Sequence, residues 1–323
     1  MIKEKISKLR TNIEISKEVF IITKIINIQK FSISDGSGIR TSVFFKGCGL
    51  DCKWCHNPES ISFDKELLYD SEKCISCGKC VKTCPNGALE LSDGKVIIDR
   101  NKCIACGDCI EYCLGDALET AGKEYSVSEI VEAIEKDNLF YEVSDGGVTL
   151  SGGESMIQDI YYLENLCKKL KRRGIHIAVD TSGYAPTEHF KRILKYVDIF
   201  LYDVKTMDDE VHKKFVGKGN KLILENLIFL NEHNASINIR IPIFEGVNAT
   251  TKDMEDIIDF LKHNNIHVEQ INLLPYHEIG THKYERLNLG YSYDSFGVPS
   301  NEVMKQFQEL YKKSGYNNTL IGG

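Results

Sequence analysis

The chain has 323 residues, 42% of them apolar and 27% charged, enough to bury one large α/β core or two ordinary ones. A net charge of −7 leaves no broad basic surface for nucleic acid, and Thr23 and Lys24 interrupt FIITKIINI, so no apolar run approaches membrane-spanning length. With charges scattered through an N-terminus that lacks a signal-peptide pattern, the expectation is a cytoplasmic protein with no membrane partner, in which so many cysteines, twelve, point to metal ligation rather than disulfides.

Residues 1–21 carry no motif and read as an N-terminal extension. The first predicted strand, TSVFF (41–45), runs into KGCGLDCKWCHNPES, where Cys48, Cys52 and Cys55 are spaced CxxxCxxC. A structural zinc or a complete iron–sulfur cluster ordinarily takes four protein ligands, so three leave either a distant fourth or an open metal position. Further on, CISCGKCVKTCPNGALE from Cys74 recurs as CIACGDCIEYCLGDALE from Cys103, both reading CxxCxxCxxxC. That is the pattern of a two-cluster ferredoxin, in which the fourth cysteine of each run crosses to the other cluster. Cys74, Cys77, Cys80 and Cys113 are therefore assigned to one [4Fe–4S] centre, and Cys103, Cys106, Cys109 and Cys84 to a second. Leu114 replaces the proline that usually follows the fourth cysteine and that the first copy keeps as Pro85. A zinc module is the bland alternative, although zinc motifs seldom carry the third and fourth cysteines twice over. Cys167 shares an apolar helical face with Leu163, Leu166 and Leu170 and reads as a core thiol.

No cysteine is thus left as an obvious fourth partner for Cys48, Cys52 and Cys55. A three-cysteine [4Fe–4S] cluster has one iron free to bind nitrogen and oxygen atoms, such as the amino and carboxylate groups of S-adenosylmethionine (SAM). CxxxCxxC with an aromatic, Trp54, before the last cysteine resembles the radical SAM superfamily.

Beyond the cysteine-rich region, strands are predicted at 147–152, 175–182, 198–205, 237–244 and 270–276, alternating with helices near 127–139, 155–173, 187–196, 219–234 and 251–265. With 41–45 they make six parallel strands. The fold class expected is α/β, a partial (β/α)6 barrel carrying an inserted α+β ferredoxin-like domain; an open doubly wound sheet would show the same alternation. The boundaries expected are 22–66 for the first part of the barrel, 67–122 for the insertion and 123–323 for the remainder. Polar motifs fall at strand ends, where barrels gather function. Gly152, Gly153 and Glu154 follow the second strand and resemble the superfamily's GGE motif, which holds the amino group of SAM. Asp203, Val204 and Lys205 close the fourth strand, with Lys205 a candidate for the SAM carboxylate. Arg240 lies within the fifth, where an inward arginine needs an anion. His277 ends the sixth and is a candidate for the nucleoside. Asp180 and Asp203 are further read as holding a monovalent cation between strand ends. Taken singly, each of these has an ordinary structural explanation.

In order along the chain, DGSGIRTSVFFKGCGLDCKWCHNPES, the cysteine repeat, GGVTLSGGE, VDTSG, YDVK, IRIP and LLPYH resemble the glycyl-radical-enzyme activating enzymes, in the subgroup with two auxiliary clusters. The resemblance runs from about Ile22 to near the C-terminus. Ser37, Gly49 and Ser155 stand where the family commonly has proline. The resemblance implies three [4Fe–4S] clusters and SAM. It implies reductive cleavage of SAM to methionine and a 5′-deoxyadenosyl radical, which takes hydrogen from one glycine of a partner enzyme. Trp54 and His56 are expected beside the adenosyl group, and no protein acid or base is required. The partners expected are a glycyl radical enzyme and a flavodoxin or ferredoxin-type reductant, with the chain itself a monomer. Trans-4-hydroxy-L-proline dehydratase is the expected activation target. The alternatives are a radical SAM enzyme acting on a small molecule, and an electron carrier, which would leave Cys48, Cys52 and Cys55 unexplained.

Overall fold

A strand with helices on one face and a packed lumen on the other has no solvent face to encode, so it reads as a nearly continuous apolar run. The computed structural model describes residues 22–289 and 296–322, and the N-terminal extension lies outside the described residues. In chain order the strands are β1 (Ile22–Ser32), β2 (Arg40–Phe45), β3 (Glu66–Tyr69), β4 (Leu89–Ser92), β5 (Lys95–Ile98), β6 (Leu118–Ala121), β7 (Lys123–Ser126), β8 (Gly147–Gly152), β9 (His176–Thr181), β10 (Ile199–Asp203), β11 (Ile237–Ile243), β12 (Gln270–Pro275) and β13 (Thr319–Ile321). Nine of them form one sheet in the order β13-β12-β11-β10-β9-β8-β2-β1-β7. From β13 to β2 every neighbour is parallel, whereas β1 is antiparallel to both β2 and β7. This mostly parallel sheet with crossover helices is consistent with a partial TIM-type barrel.

The expected six parallel strands are β2, β8, β9, β10, β11 and β12. In β11, Ile237, Ile239, Ile241 and Ile243 are fully buried, while Asn238, Arg240 and Pro242 alternate with them and are only partly covered. Beyond the six, the sheet adds β1, with β7 at its outer edge, and β13 at the opposite edge, none of them in the predicted set. Two helices are shorter than their patterns predict. The span 155–173 is a 3-10 turn at Ser155–Ile157 followed by a helix at Ile160–Lys171, because the Asp159 side chain accepts from Tyr162 N and caps a new start. The span 127–139 holds a helix at Val127–Glu135, opened by a Ser126–Glu129 capping box, and a separate one at Asn138–Ser144.

Between β2 and β7 the chain builds a smaller body with its own core, in which Leu67, Leu89, Val96, Ile98 and Leu118 pack around Cys80 and Cys109. β3 pairs with β6 and β4 with β5. The sequence repeat extends to the backbone. Ser76 and Gly78 adopt left-handed φ of 56° and 67°, and their counterparts Ala105 and Gly107 adopt 49° and 94°. A left-handed conformation is disfavoured for serine and alanine, and strain of this kind gathers at ligand sites.

Candidate functional site

The loop after β2 is held from both sides. Gly47 N donates to Ser60 O (2.7 Å), Cys48 N to Ile61 O (3.0 Å), Asp51 N to Val216 O (3.0 Å) and Lys53 N to Phe215 O (2.9 Å). Behind it, Gly152 at φ 117° and Gly153 press against the chain. A Cβ on Gly152 would lie 2.2 Å from Phe45 N, and one on Gly153 2.4 Å from Gly47 O. Their first role is therefore to let the end of β8 approach the cysteine loop.

Cys48, Cys52 and Cys55 face a cavity of about 570 Å³ at the carboxyl ends of the parallel strands. Each following strand supplies part of its wall, with Ser151 and Gly152 at the end of β8 and Gly153 after it, and Asp180 at the end of β9 and Ser182 after it. Asp203 and Lys205 follow from β10, Arg240 and Phe244 from β11, and Tyr276 and His277 from β12. Trp54 and His56 also line it. Trp54 stacks on Phe244 with ring centroids 4.1 Å apart, and Phe296 meets it edge-on at 5.6 Å. His56 stacks on His277 at 4.3 Å, its Nε2 3.0 Å from His277 O. The cavity is thus apolar and aromatic on one side and strongly charged on the other.

The charged side is a chain of contacts. Lys205 Nζ donates to Asp203 Oδ2 (2.8 Å), Arg240 Nε to Asp203 Oδ1 (3.1 Å), and Arg240 Nη2 lies 3.0 Å from Asp180 Oδ1. Ser151 Oγ donates to Asp180 Oδ2 at 2.6 Å. Burial works against the Asp203 carboxylate, but Lys205 and Arg240 together hold it below its ordinary range. Burial lifts the Asp180 carboxyl to about 6 in spite of Arg240. The anion needed by Arg240 is therefore protein, and the position expected for a monovalent cation between Asp180 and Asp203 is filled by the Arg240 guanidinium.

Two predicted contacts are not brought to the cavity. Val204 is 1% exposed and packs in the core. Glu154 is 1% exposed, and its carboxylate is used internally: Oε1 accepts from Thr181 Oγ1 (2.6 Å) and Met156 N (3.0 Å), and Oε2 from Ser182 N (2.8 Å) and Ser182 Oγ. It ties β8 to β9 and is not among the residues that line the cavity. Phe244, Tyr276 and Ser182 are not among the expected site residues, although the rule that residues ending parallel strands line the site would have found them.

Burial raises the thiols of Cys48 to about 12, Cys52 to about 11, and Cys55 further. What marks them as a donor set for a metal cluster is the geometry, three sulfurs facing one cavity with Leu50 N donating to Cys48 Sγ (3.4 Å). In the smaller body, Cys74, Cys77, Cys80 and Cys113 line one pocket, and Cys84, Cys103, Cys106 and Cys109 another. The sulfurs surround a space instead of meeting at a point; among the described residues no three His, Cys, Asp or Glu side chains converge for a single metal ion. Backbone amides of Ser76, Ala88 and Ala117 donate to Cys74, Cys84 and Cys113 Sγ at 3.4, 3.2 and 3.2 Å. All twelve cysteines are free, and Cys167 is fully buried in the barrel core.

Such a sheet, with a three-cysteine loop after its first parallel strand and a polar rim at the strand ends, is the fold and site of a radical SAM protein, and residues 42–261 match the model of the radical SAM superfamily. A radical SAM methyltransferase from Sphaerobacter thermophilus shares the fold, with a TM-score of 0.51 over 97% of this chain and 80% of that one at 13% identity. The trans-4-hydroxy-L-proline dehydratase activating enzyme of Clostridioides difficile is 47% identical over 93% of this chain and 99% of its own length. The choline trimethylamine-lyase activating enzyme of Oleidesulfovibrio alaskensis (strain ATCC BAA-1058 / DSM 17464 / G20) is 41% identical over 92% and 97%. The 4-hydroxyphenylacetate decarboxylase activating enzyme of Clostridium scatologenes is 39% identical over 89% and 93%. The chain belongs to the glycyl-radical-enzyme activating enzymes of the radical SAM superfamily. Among the described residues no helix is long and apolar enough to cross a membrane.

Proposed function

We propose that the glycyl radical enzyme activated by this chain is a trans-4-hydroxy-L-proline dehydratase. The observation that carries this is the 47% identity to that enzyme's activator over nearly the whole of both chains, against 41% and 39% for activators of the choline and hydroxyphenylacetate enzymes. Cys48, Cys52 and Cys55 would hold a [4Fe–4S] cluster, with SAM bound beside it in the cavity they face. When bound, this pair supplies a one-electron cleavage that ends with hydrogen taken from the partner's glycine.

The chain's own residues place and shield the reactants. Lys205 offers its ammonium to the SAM carboxylate. Gly152 and Gly153 offer main chain to the amino group, with Glu154 fixing their neighbour strand. Trp54, His56 and His277 give aromatic surface to the adenosyl group and keep water out. Arg240, braced by Asp180 and Asp203, presents positive charge to the cavity floor.

Residues 67–122 form a ferredoxin-like insertion between the barrel segments 22–66 and 123–323. Their cysteine sets 74, 77, 80, 113 and 103, 106, 109, 84 would hold two further [4Fe–4S] clusters, which would supply a relay for electrons from a flavodoxin or ferredoxin-type reductant. The two four-cysteine pockets support this reading.

The test is anaerobic incubation of reduced, iron-reconstituted protein with SAM and each of the three glycyl radical enzymes. The expected result is a glycyl-radical EPR doublet on the dehydratase, at least about tenfold above the others, a gap of about 1.4 kcal/mol in transition-state terms. Formation of 5′-deoxyadenosine with no radical on the dehydratase overturns the partner assignment.

A further inference from the structure

The antiparallel pairing of β7 with β1 stops at Ile25 opposite Lys123. One residue earlier in β7's direction, Gly122 adopts φ 96°, and a Cβ there would lie 2.6 Å from the buried Lys46 side chain. The chain turns at that glycine, so β6 pairs with β3 and not with β1. The strands splay apart. From Ile26 to Gln29, the edge of β1 away from β2 has no strand partner among the described residues.

The splay is a cleft of about 380 Å³, walled by Asn27 and Gln29 of β1 and by Glu119 and Thr120 of β6. Phe44 and Asn57 line both this cleft and the cavity that holds Cys48, Cys52 and Cys55, so the two spaces adjoin. Charges of both signs stand on its walls: Lys283 lies 2.9 Å from Glu59, and Arg286 2.5 Å from Glu119. Even so, two buried atoms of these groups, Glu59 Oε2 and Arg286 Nε, have no hydrogen-bond partner.

An open strand edge is a template for an extended chain, whose main-chain groups supply affinity while alternate side chains find pockets. Buried polar atoms without partners are costly and are satisfied when a polar chain enters. We propose that the glycine-bearing segment of the partner enzyme enters as an extended strand along β1 from Gln29 to Ile26, in the cleft between β1 and β6. Its glycine then passes Phe44 and Asn57 into the cavity, and the insertion forms one wall of the partner's path. The proposal rests on the reading of the chain as the activator of a glycyl radical enzyme.

Thr120→Trp and Gln29→Trp fill the cleft from its two walls without touching the cavity lining. The probe is a labelled synthetic peptide centred on the dehydratase's radical-bearing glycine, followed anaerobically by fluorescence polarisation. Each variant is expected to weaken peptide binding and radical yield on the dehydratase by about tenfold or more, while partner-free SAM cleavage is retained. In the wild-type protein, saturating peptide is expected to slow hydrogen exchange at the amides of residues 26–29 by about tenfold or more. Unchanged exchange there, or full peptide affinity in both variants, overturns the cleft proposal. A wild-type protein that puts no radical on any glycyl radical enzyme overturns the functional reading instead.

Discussion

Glu154 and Lys205 are both buried charges beside one cavity, and the structure gives them opposite tasks. Lys205 has a single carboxylate partner, Asp203, and lines the cavity, so it is available to a ligand. Glu154 spends its lone pairs on two hydroxyls and two backbone amides and is closed to the cavity. Lys205→Met is therefore expected to weaken SAM binding by about tenfold or more, by removing a charge-assisted contact, and Glu154→Gln to change it far less. Glu154→Gln instead places an amide donor opposite donors and is expected to cost about 2 kcal/mol of stability. Thermal unfolding and SAM titration of the two variants check this pair, and a larger SAM defect in Glu154→Gln would reverse the assignments. The motif SGGE shows that an acid follows two close-packed glycines. It does not show which way the acid turns, because that is decided by Thr181 and Ser182 on the next strand. Lys205 and Arg240 were legible as inward charges for the opposite reason: each sits on or just after a strand whose neighbours are apolar.

At the scale of elements, legibility follows burial. The six central strands are covered on both faces and announce themselves as apolar runs, whereas β1 alternates Lys24, Asn27, Gln29 and Lys30 with apolar residues and β13 is only three residues long. At the amino ends of the parallel strands the sheet is tied by polar contacts that no single segment encodes. Arg40 of β2 is fully buried; its Nε donates to Thr149 Oγ1 (2.7 Å) and its Nη2 to Val148 O (2.6 Å), with His176 Nδ1 of β9 at 3.3 Å. Burial lowers the His176 pKa below its usual 6.5, Arg40 and Lys171 lower it further, and Asp198 opposes them. A histidine whose folded pKa is depressed favours folding above pH 6.5, and that contribution is lost as pH falls through the folded pKa. The same sign holds for His212, again mainly through burial. The melting temperature of the reconstituted protein is therefore expected to fall between pH 7.5 and 5.5. His176→Asn, which keeps an acceptor for Arg40, is expected to flatten the fall by on the order of 2 °C. An identical pH slope in the variant would remove His176 from the account.

In the whole molecule two cores of unequal size share one chain. The larger core extends from Ile25 to Tyr311, whereas the smaller body's own core has nine buried residues, Cys80 and Cys109 among them. So small a core rarely holds a fold without a metal or disulfide, and no disulfide exists among the described residues. Its ties to the barrel side include Arg100 Nη2 donating to Leu287 O (2.6 Å), Arg286 paired with Glu119 (2.5 Å), and Leu68 and Ala121 packed with Leu287. Removal of iron is expected to release the amides of residues 74–113 to hydrogen exchange while those of 147–152 and 237–243 remain protected. Equal loss in both regions would mean one cooperative unit. The proposed electron relay can be tested on the same division: Cys77, an exposed thiol remote in sequence from the Cys48, Cys52 and Cys55 site, is a proposed cluster ligand, and Cys77→Ala is expected to disturb that cluster and leave the three-cysteine site intact. With a flavodoxin-type protein as reductant, radical formation on the partner should then slow by about tenfold or more, while dithionite, small enough to reach the cavity directly, should restore most of it. Equal rates with the protein reductant before and after loss of the cluster would make the insertion structural and would leave electrons to enter the barrel by another face.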